Sequence, residues 1–111
     1  MLPLTPAVFH ILLALGDGGL HGYAIMQEVA ERTGGMIRLG PATLYRSLQR
    51  MVADGLIFEQ AERPERGDDE RRRYYRLSRF GRRVASAEAQ RLAELVAVAR
   101  AKKLLPGGQS R

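Results

Sequence analysis

Apolar residues along this chain fall into two spacings, and the change between them divides the molecule. Between Gly40 and Gly55, Leu44, Leu48, Met51 and Val52 recur at i, i+4, i+7 and i+8, the spacing of a core-facing helix side. The other side of that helix carries Thr43, Arg46, Ser47 and Arg50, flanked by Tyr45 and Gln49. Pro41 suits a first helical turn, where its missing N–H is not needed, and Gly55 is a natural C-terminal stop. Upstream, Thr5-Pro6 signals another helix start, and Ala7 to Leu15 is apolar on nearly all sides. Gly16-Asp17-Gly18-Gly19 ends that helix in a tight turn. After Leu20-His21-Gly22-Tyr23 comes a second amphipathic helix, to about Thr33, with Gly22, Ile25, Met26, Val29 and Ala30 on one side. Met36 to Leu39 is too short for a helix and reads as an extended connection.

After Gly55 the period shortens. Leu56 to Ala61 and Arg71 to Leu77 are β-compatible runs, separated by a polar stretch with Pro64, Gly67 and paired aspartates, the pattern of a long hairpin. In the second run Tyr75 and Leu77 alternate to one face, while Tyr74 and Arg76 take the other. Ser78 then caps a last helix from Arg79 to about Leu104. Ala85, Ala89, Leu92, Val96 and Ala99 form its apolar stripe, widened by Leu95 and Val98. The expected fold is mainly α with a small β-hairpin. Its order, three helices, two strands and a long helix, is the plan of a winged helix-turn-helix with a long C-terminal dimerisation helix. Residues 1–77 make the winged-helix part, 78–105 the dimerisation helix and 106–111 a disordered tail.

Composition narrows the partner. A net charge of +6 and a pI near 10.5 favour a polyanion, double-stranded DNA first and an anionic membrane surface second. The membrane reading is the weaker, because the arginines lie on a hairpin and not opposite an apolar helical face. The apolar run near the start lacks a basic leader and is too short to span a bilayer, so a buried helix of a cytoplasmic protein is expected. No cysteine is present, which removes disulfides, thiolate nucleophiles and thiolate-held metal. His10 lies in an apolar run and His21 beside a helix start, without a metal-ligand cluster, phosphate loop or nucleophile-base pairing around them. Neither catalysis nor a cofactor is expected.

Three stretches together, HGYAIMQEV, LGPATLYRSLQRMVADGLI and DERRRYYRLSRFGRR, resemble the PadR-type transcriptional regulators over roughly residues 7 to 90. Small departures occur at Pro41 and Ala42, at Met51 where leucine is usual, and at Ser78 where threonine is common. The short last helix resembles the compact subtype. The resemblance implies a homodimeric repressor on a dyad-symmetric operator. Carried over by position, Thr43, Tyr45, Arg46, Gln49 and Arg50 would lie at DNA, with Tyr23, Arg71, Arg72 and Arg73 on its backbone. It also implies a hydrophobic, phenolic or antibiotic-like effector between subunits, although the last helix offers alanines and the chain has no tryptophan.

Several residues keep two readings. Tyr45 could pack beside the core stripe instead of touching DNA, and Thr43 could cap its helix. Gly22 reads most simply as close helix packing. The last helix could fold back on its own domain. A dimer is favoured because pairing two chains would bury both its stripe (Ala85, Ala89, Leu92, Leu95, Val96 and Ala99) and part of the first helix (Phe9 and Leu12). Such a twofold would set two recognition helices roughly 34 Å apart. The alternative function is an effector-sensing or protein-interaction module that uses the same fold without specific DNA binding.

Overall fold

The computed structural model describes residues 2–61, with the side chain of Ala61 excepted, and 73–106. Helix α1, Pro6–Ala14, begins as its sequence dictates: the Thr5 hydroxyl accepts the Val8 N–H at 3.2 Å, and Pro6 opens the first turn. It runs into a 3-10 turn, Leu15–Asp17. Strand β1, Leu20–His21, leads directly into α2, Gly22–Arg32, whose N-cap is the His21 ring: Nδ1 accepts the Ala24 N–H at 3.3 Å. The hydroxyl of Thr33 donates to the Val29 carbonyl and accepts the Ile37 N–H, tying the following loop to the end of α2.

Helix α3, Pro41–Ala53, buries Leu44, Leu48 and Met51. Val52, expected in the same stripe, is 37% exposed because it falls at the rim of the buried arc. Gly55 takes the left-handed backbone that closes the helix, at φ +80°. Strands β2, Ile57–Ala61, and β3, Arg73–Leu77, pair antiparallel, with Ile57 opposite Leu77 and Glu59 opposite Tyr75. The sheet has three strands, not the two of a simple hairpin, in the order β1-β3-β2. Leu20 and His21 supply the extra one by pairing with Tyr75 and Tyr74. Two residues are too few to show a period of two, so this strand is visible only once β3 is in place.

Helix α4, Arg79–Ala101, starts at Ser78, whose hydroxyl accepts the Gly81 N–H at 2.8 Å and donates to the Gly55 carbonyl at 2.6 Å. Gly81 is required there. A β-carbon at that position would lie 1.9 Å from the Leu56 carbonyl oxygen. The helix ends three residues before Leu104, where Lys103 turns left-handed at φ 65° and the Leu104 N–H closes onto the Ala99 carbonyl. The tail expected from 106 onward falls, past Pro106, outside the described residues.

One core joins all of this: Ile11, Leu12 and Leu15 of α1 and its turn meet Ile25, Val29, Leu44 and Leu48, with Ile57 and Tyr75 closing it from the sheet. Leu12 retains only 1% exposure within a single chain, so its expected place in a subunit interface is corrected: its own core covers it. The molecule is elongated, 53 × 27 × 24 Å, with a radius of gyration of 16.3 Å. A compact chain of this length would have about 13 Å. The excess is α4, about 34 Å of helix by its rise per residue, much of it projecting past the core.

Candidate nucleic-acid interface

The polar face of α3 is uncovered along its length. Thr43, Tyr45, Arg46, Gln49 and Arg50 are all exposed, held outward by the burial of Leu44, Leu48 and Met51 on the opposite side. Thr43 does not cap the helix: Gly40 is the N-cap, without a side-chain hydrogen bond. Tyr45 takes the packing reading and stays accessible. It is 44% exposed, yet its phenol crosses the start of α2, where a β-carbon on Gly22 would meet the Tyr45 hydroxyl at 2.3 Å. Gly22 is thus the close-packing glycine, and the ring it admits holds α3 against α2. Tyr23, the next residue after Gly22, is 60% exposed at the first turn of α2.

The cations differ in what restrains them. Arg50 reaches Asp54 across one turn at 3.3 Å while staying 79% exposed. Such a pair is worth about half a kcal/mol and is easily exchanged. Arg46 and Gln49 make no side-chain hydrogen bond or ion pair among the described residues. Arg73 meets Glu59 at 3.4 Å on the face of the sheet that carries Tyr75 and Leu77, so it is partly neutralised by its neighbour strand. The Tyr75 hydroxyl donates to the same carboxylate at 3.4 Å, and burial, then the Glu59 charge, pushes its pKa up. That phenol therefore stays protonated. On the opposite face Arg76 donates to the Gln60 amide oxygen at 2.7 Å and lies over Gly19. Arg71 and Arg72 lie outside the described residues.

Two features of this region are not legible in the sequence. The first is a groove of about 710 Å³ between α3 and the N-terminal segment. Thr43, Arg46, Ser47 and Arg50 line one side, and the half-buried Leu4 and Val8 supply apolar surface on the other, with the nearly buried Met51 and Leu56 beneath. The second is Glu88 of α4, only 2% exposed, which anchors that segment. Its carboxylate accepts the Leu4 N–H at 3.2 Å and the Arg91 guanidinium at 2.7 and 2.9 Å. The hydrogen bonds from Arg91 hold the Glu88 pKa below its ordinary value, outweighing burial. A glutamate amid alanines reads as solvated surface, and its partner 84 residues away leaves no local signal.

The histidines are structural. His21 caps α2 and meets Tyr74 of β3 edge-on, with ring centroids 5.5 Å apart. His10, at the edge of the core, takes Arg32 at 3.0 Å, and burial, then the Arg32 charge, lowers its pKa and keeps the ring neutral. Among the described residues no group of three or more His, Cys, Asp or Glu could hold a metal ion. No helix there is long and apolar enough to cross a membrane.

The proposed interface residues of α4 divide sharply. Ala85 packs on the chain's own core, with Val84 beside it. Ala89 is exposed and Leu92 and Ala99 are part-buried, while Leu95 and Val96 remain 54% and 41% exposed. Phe9 of α1 is also part-buried.

A two-helix unit presenting α3, backed by a β2–β3 hairpin, defines a winged helix-turn-helix protein. The chain belongs to the transcriptional regulator PadR-like family, whose model matches residues 11–87. That is a family of regulators and not of enzymes. It is 37% identical over 101 residues to the transcriptional regulator Rv3488 of Mycobacterium tuberculosis, covering 91% of this chain and 83% of that one. It is 40% identical over 87 residues to a 37.1 kDa protein of transposon TN4556 from Streptomyces fradiae, and spans only 22% of that protein's length. Among solved structures, a PadR family transcription regulator of Clostridium difficile superposes with a TM-score of 0.75 at 26% identity, covering 86% of this chain and 96% of that one. Bacillus subtilis PadR in complex with operator DNA shares the fold, with a TM-score of 0.63 at 22% identity over 72% of this chain and 44% of that chain.

Proposed function

We propose that this chain is a sequence-specific DNA-binding repressor that acts as a homodimer on a dyad-symmetric operator. The observation that carries this reading is the uncovered polar face of α3, where Arg46 and Gln49 make no side-chain hydrogen bond or ion pair among the described residues. Arginine and glutamine pair bidentately with guanine and adenine edges, and a helix in the major groove brings them there. Thr43, Tyr45 and Arg50 border that pair, and Tyr23 reaches the DNA backbone from α2. Arg73, with Arg71 and Arg72, supplies backbone contacts from the hairpin. The relative solved with operator DNA uses this fold, which supports the assignment. Residues 78–105 provide the dimer contact, through the apolar stripe that the single chain leaves open from Leu92 to Ala99.

The test is selection of genomic fragments by the purified chain at near-physiological salt. An enriched dyad with half-sites about one turn apart is expected. Retention without a motif would leave a general DNA binder, and no retention would favour an interaction module. Replacing Arg46 or Gln49 with alanine should cost about 1–3 kcal/mol on the selected sequence and much less on random DNA. Equal losses on both would remove these residues from base reading.

A further inference from the structure

The groove beside α3 has chemistry that a nucleic-acid strand does not need. A phosphodiester backbone uses cations and donors, and it gains nothing from an apolar floor. Here the guanidiniums of Arg46 and Arg50 and the hydroxyls of Thr43 and Ser47 face the half-buried Leu4 and Val8 across about 710 Å³, with the nearly buried Met51 and Leu56 beneath. That volume lies within the range of small-molecule sites, and apolar walls with a few converging polar groups are their usual composition. The far wall is fixed in place. Leu4, which forms part of it, is held through its N–H by Glu88, itself gripped by Arg91. Charge selects the end at which a head group binds. Asp54 lines the groove beside Arg50 and is paired with it, whereas Arg46 makes no ion pair among the described residues.

We propose that this groove binds an organic monoanion with a hydrocarbon body, its charged head on Arg46 and its body against Leu4 and Val8. A single negative charge suits the site because Asp54 opposes a second one at the other end. An occupant there covers Thr43, Arg46 and Arg50, so it releases DNA by direct occlusion and not by a change transmitted through a subunit interface. That release rests on the reading of α3 as the DNA face; the binding does not.

The experiment is calorimetric titration of the full chain with octanoate, and with 1-octanol as the neutral body alone. Octanoate should bind once per chain, with octanol at least about tenfold weaker. Arg46→Gln should weaken octanoate about tenfold and leave octanol unchanged. Val8→Trp, which fills the groove from α1, should abolish octanoate binding while the chain still unfolds cooperatively and sediments unchanged. No saturable octanoate binding, equal affinity for octanol, or undiminished binding to both variants would overturn the proposal. A Val8→Trp chain that sediments as a smaller species would assign the groove to a second copy and also overturn it. In competition, octanoate should displace a labelled selected DNA fragment from the wild-type chain and not from Val8→Trp. Octanoate that binds without displacing DNA would overturn the occlusion. A chain that binds octanoate but no DNA would instead sink the DNA reading of α3 and leave the groove site standing.

Discussion

The two halves of α4 carry the same sequence pattern and meet different surroundings. In the first half, Gly81 presses against the Leu56 carbonyl, Val84 and Ala85 pack on the core, and Glu88 is buried against the N-terminal segment. In the second, Leu95, Val96 and Val98 are 54%, 41% and 51% exposed. Apolar spacing therefore reports that a helix has a face to bury, and says nothing of what buries it. Folding back on its own domain and standing free for a partner are not alternatives for α4. The first half folds back and the second projects.

The largest expected effect breaks the docked half. Gly81→Ala places a β-carbon where the Leu56 carbonyl oxygen lies, at 1.9 Å, and that oxygen also accepts the Ser78 N–H. Relief requires α4 to move away from the Leu56 backbone, just before β2, and loosens the Ser78 cap. The cost should be about 3 kcal/mol, at the upper end of overpacking in a core. Urea unfolding would measure it, and a loss below about 0.5 kcal/mol would mean that α4 is not seated as described.

The second effect tests the projecting half. Leu95→Glu sets a charge on the exposed stripe and should change monomer stability by no more than about 0.5 kcal/mol, as surface substitutions do. It should cost a dimer about 2 kcal/mol or more per interface, since each twofold contact carries the change on both subunits. Sedimentation at several concentrations would show the shift to monomer. An unchanged dimer would move the interface away from Leu92 to Ala99, and Phe9 with Leu13 of α1 would be the next surface to charge.

How far the sequence disclosed this molecule follows from the range of each interaction. Thr5, Pro6, Gly55 and Ser78 act within four residues, and the boundaries they set are observed nearly to the residue. The polar face of α3 was equally readable, because its burial partner is the opposite side of the same helix. Strand β1 was not, since Leu20 and His21 acquire meaning only from Tyr75 and Tyr74. Leu12 reads in the sequence as a partner contact because an all-apolar helix looks the same whether its own core or a second copy covers it. The groove depends on the N-terminal segment crossing to α3 and on Glu88 holding it there, contacts that join the two ends of the chain. Val52 shows the finer limit: a position at the edge of a helical arc is decided by the neighbour's shape.

The smallest expected effect concerns the joint between the halves, and it carries a pH signature. Glu88 is the last buried residue of α4 before the helix projects. Its pKa is lowered in the folded chain from its ordinary 4.5 by the Arg91 hydrogen bonds, and further by the Leu4 N–H, against the opposing effect of burial. A depressed carboxylate contributes stability that is fully present above its unfolded pKa and is lost as pH falls through the folded one. Glu88→Gln keeps the shape and can still accept from Leu4, but it removes the charge that Arg91 holds. The wild-type chain should therefore melt higher than Glu88→Gln at pH 7, and the gap should close as pH drops below the ordinary glutamate range. Because the substitution acts where the N-terminal segment meets α4, it should leave sedimentation unchanged while loosening the groove wall at Leu4. A melting difference that persists undiminished into acid would show that Glu88 acts by packing alone. One that comes with dissociation would show that the docked and projecting halves of α4 are not separable in the way their burial indicates.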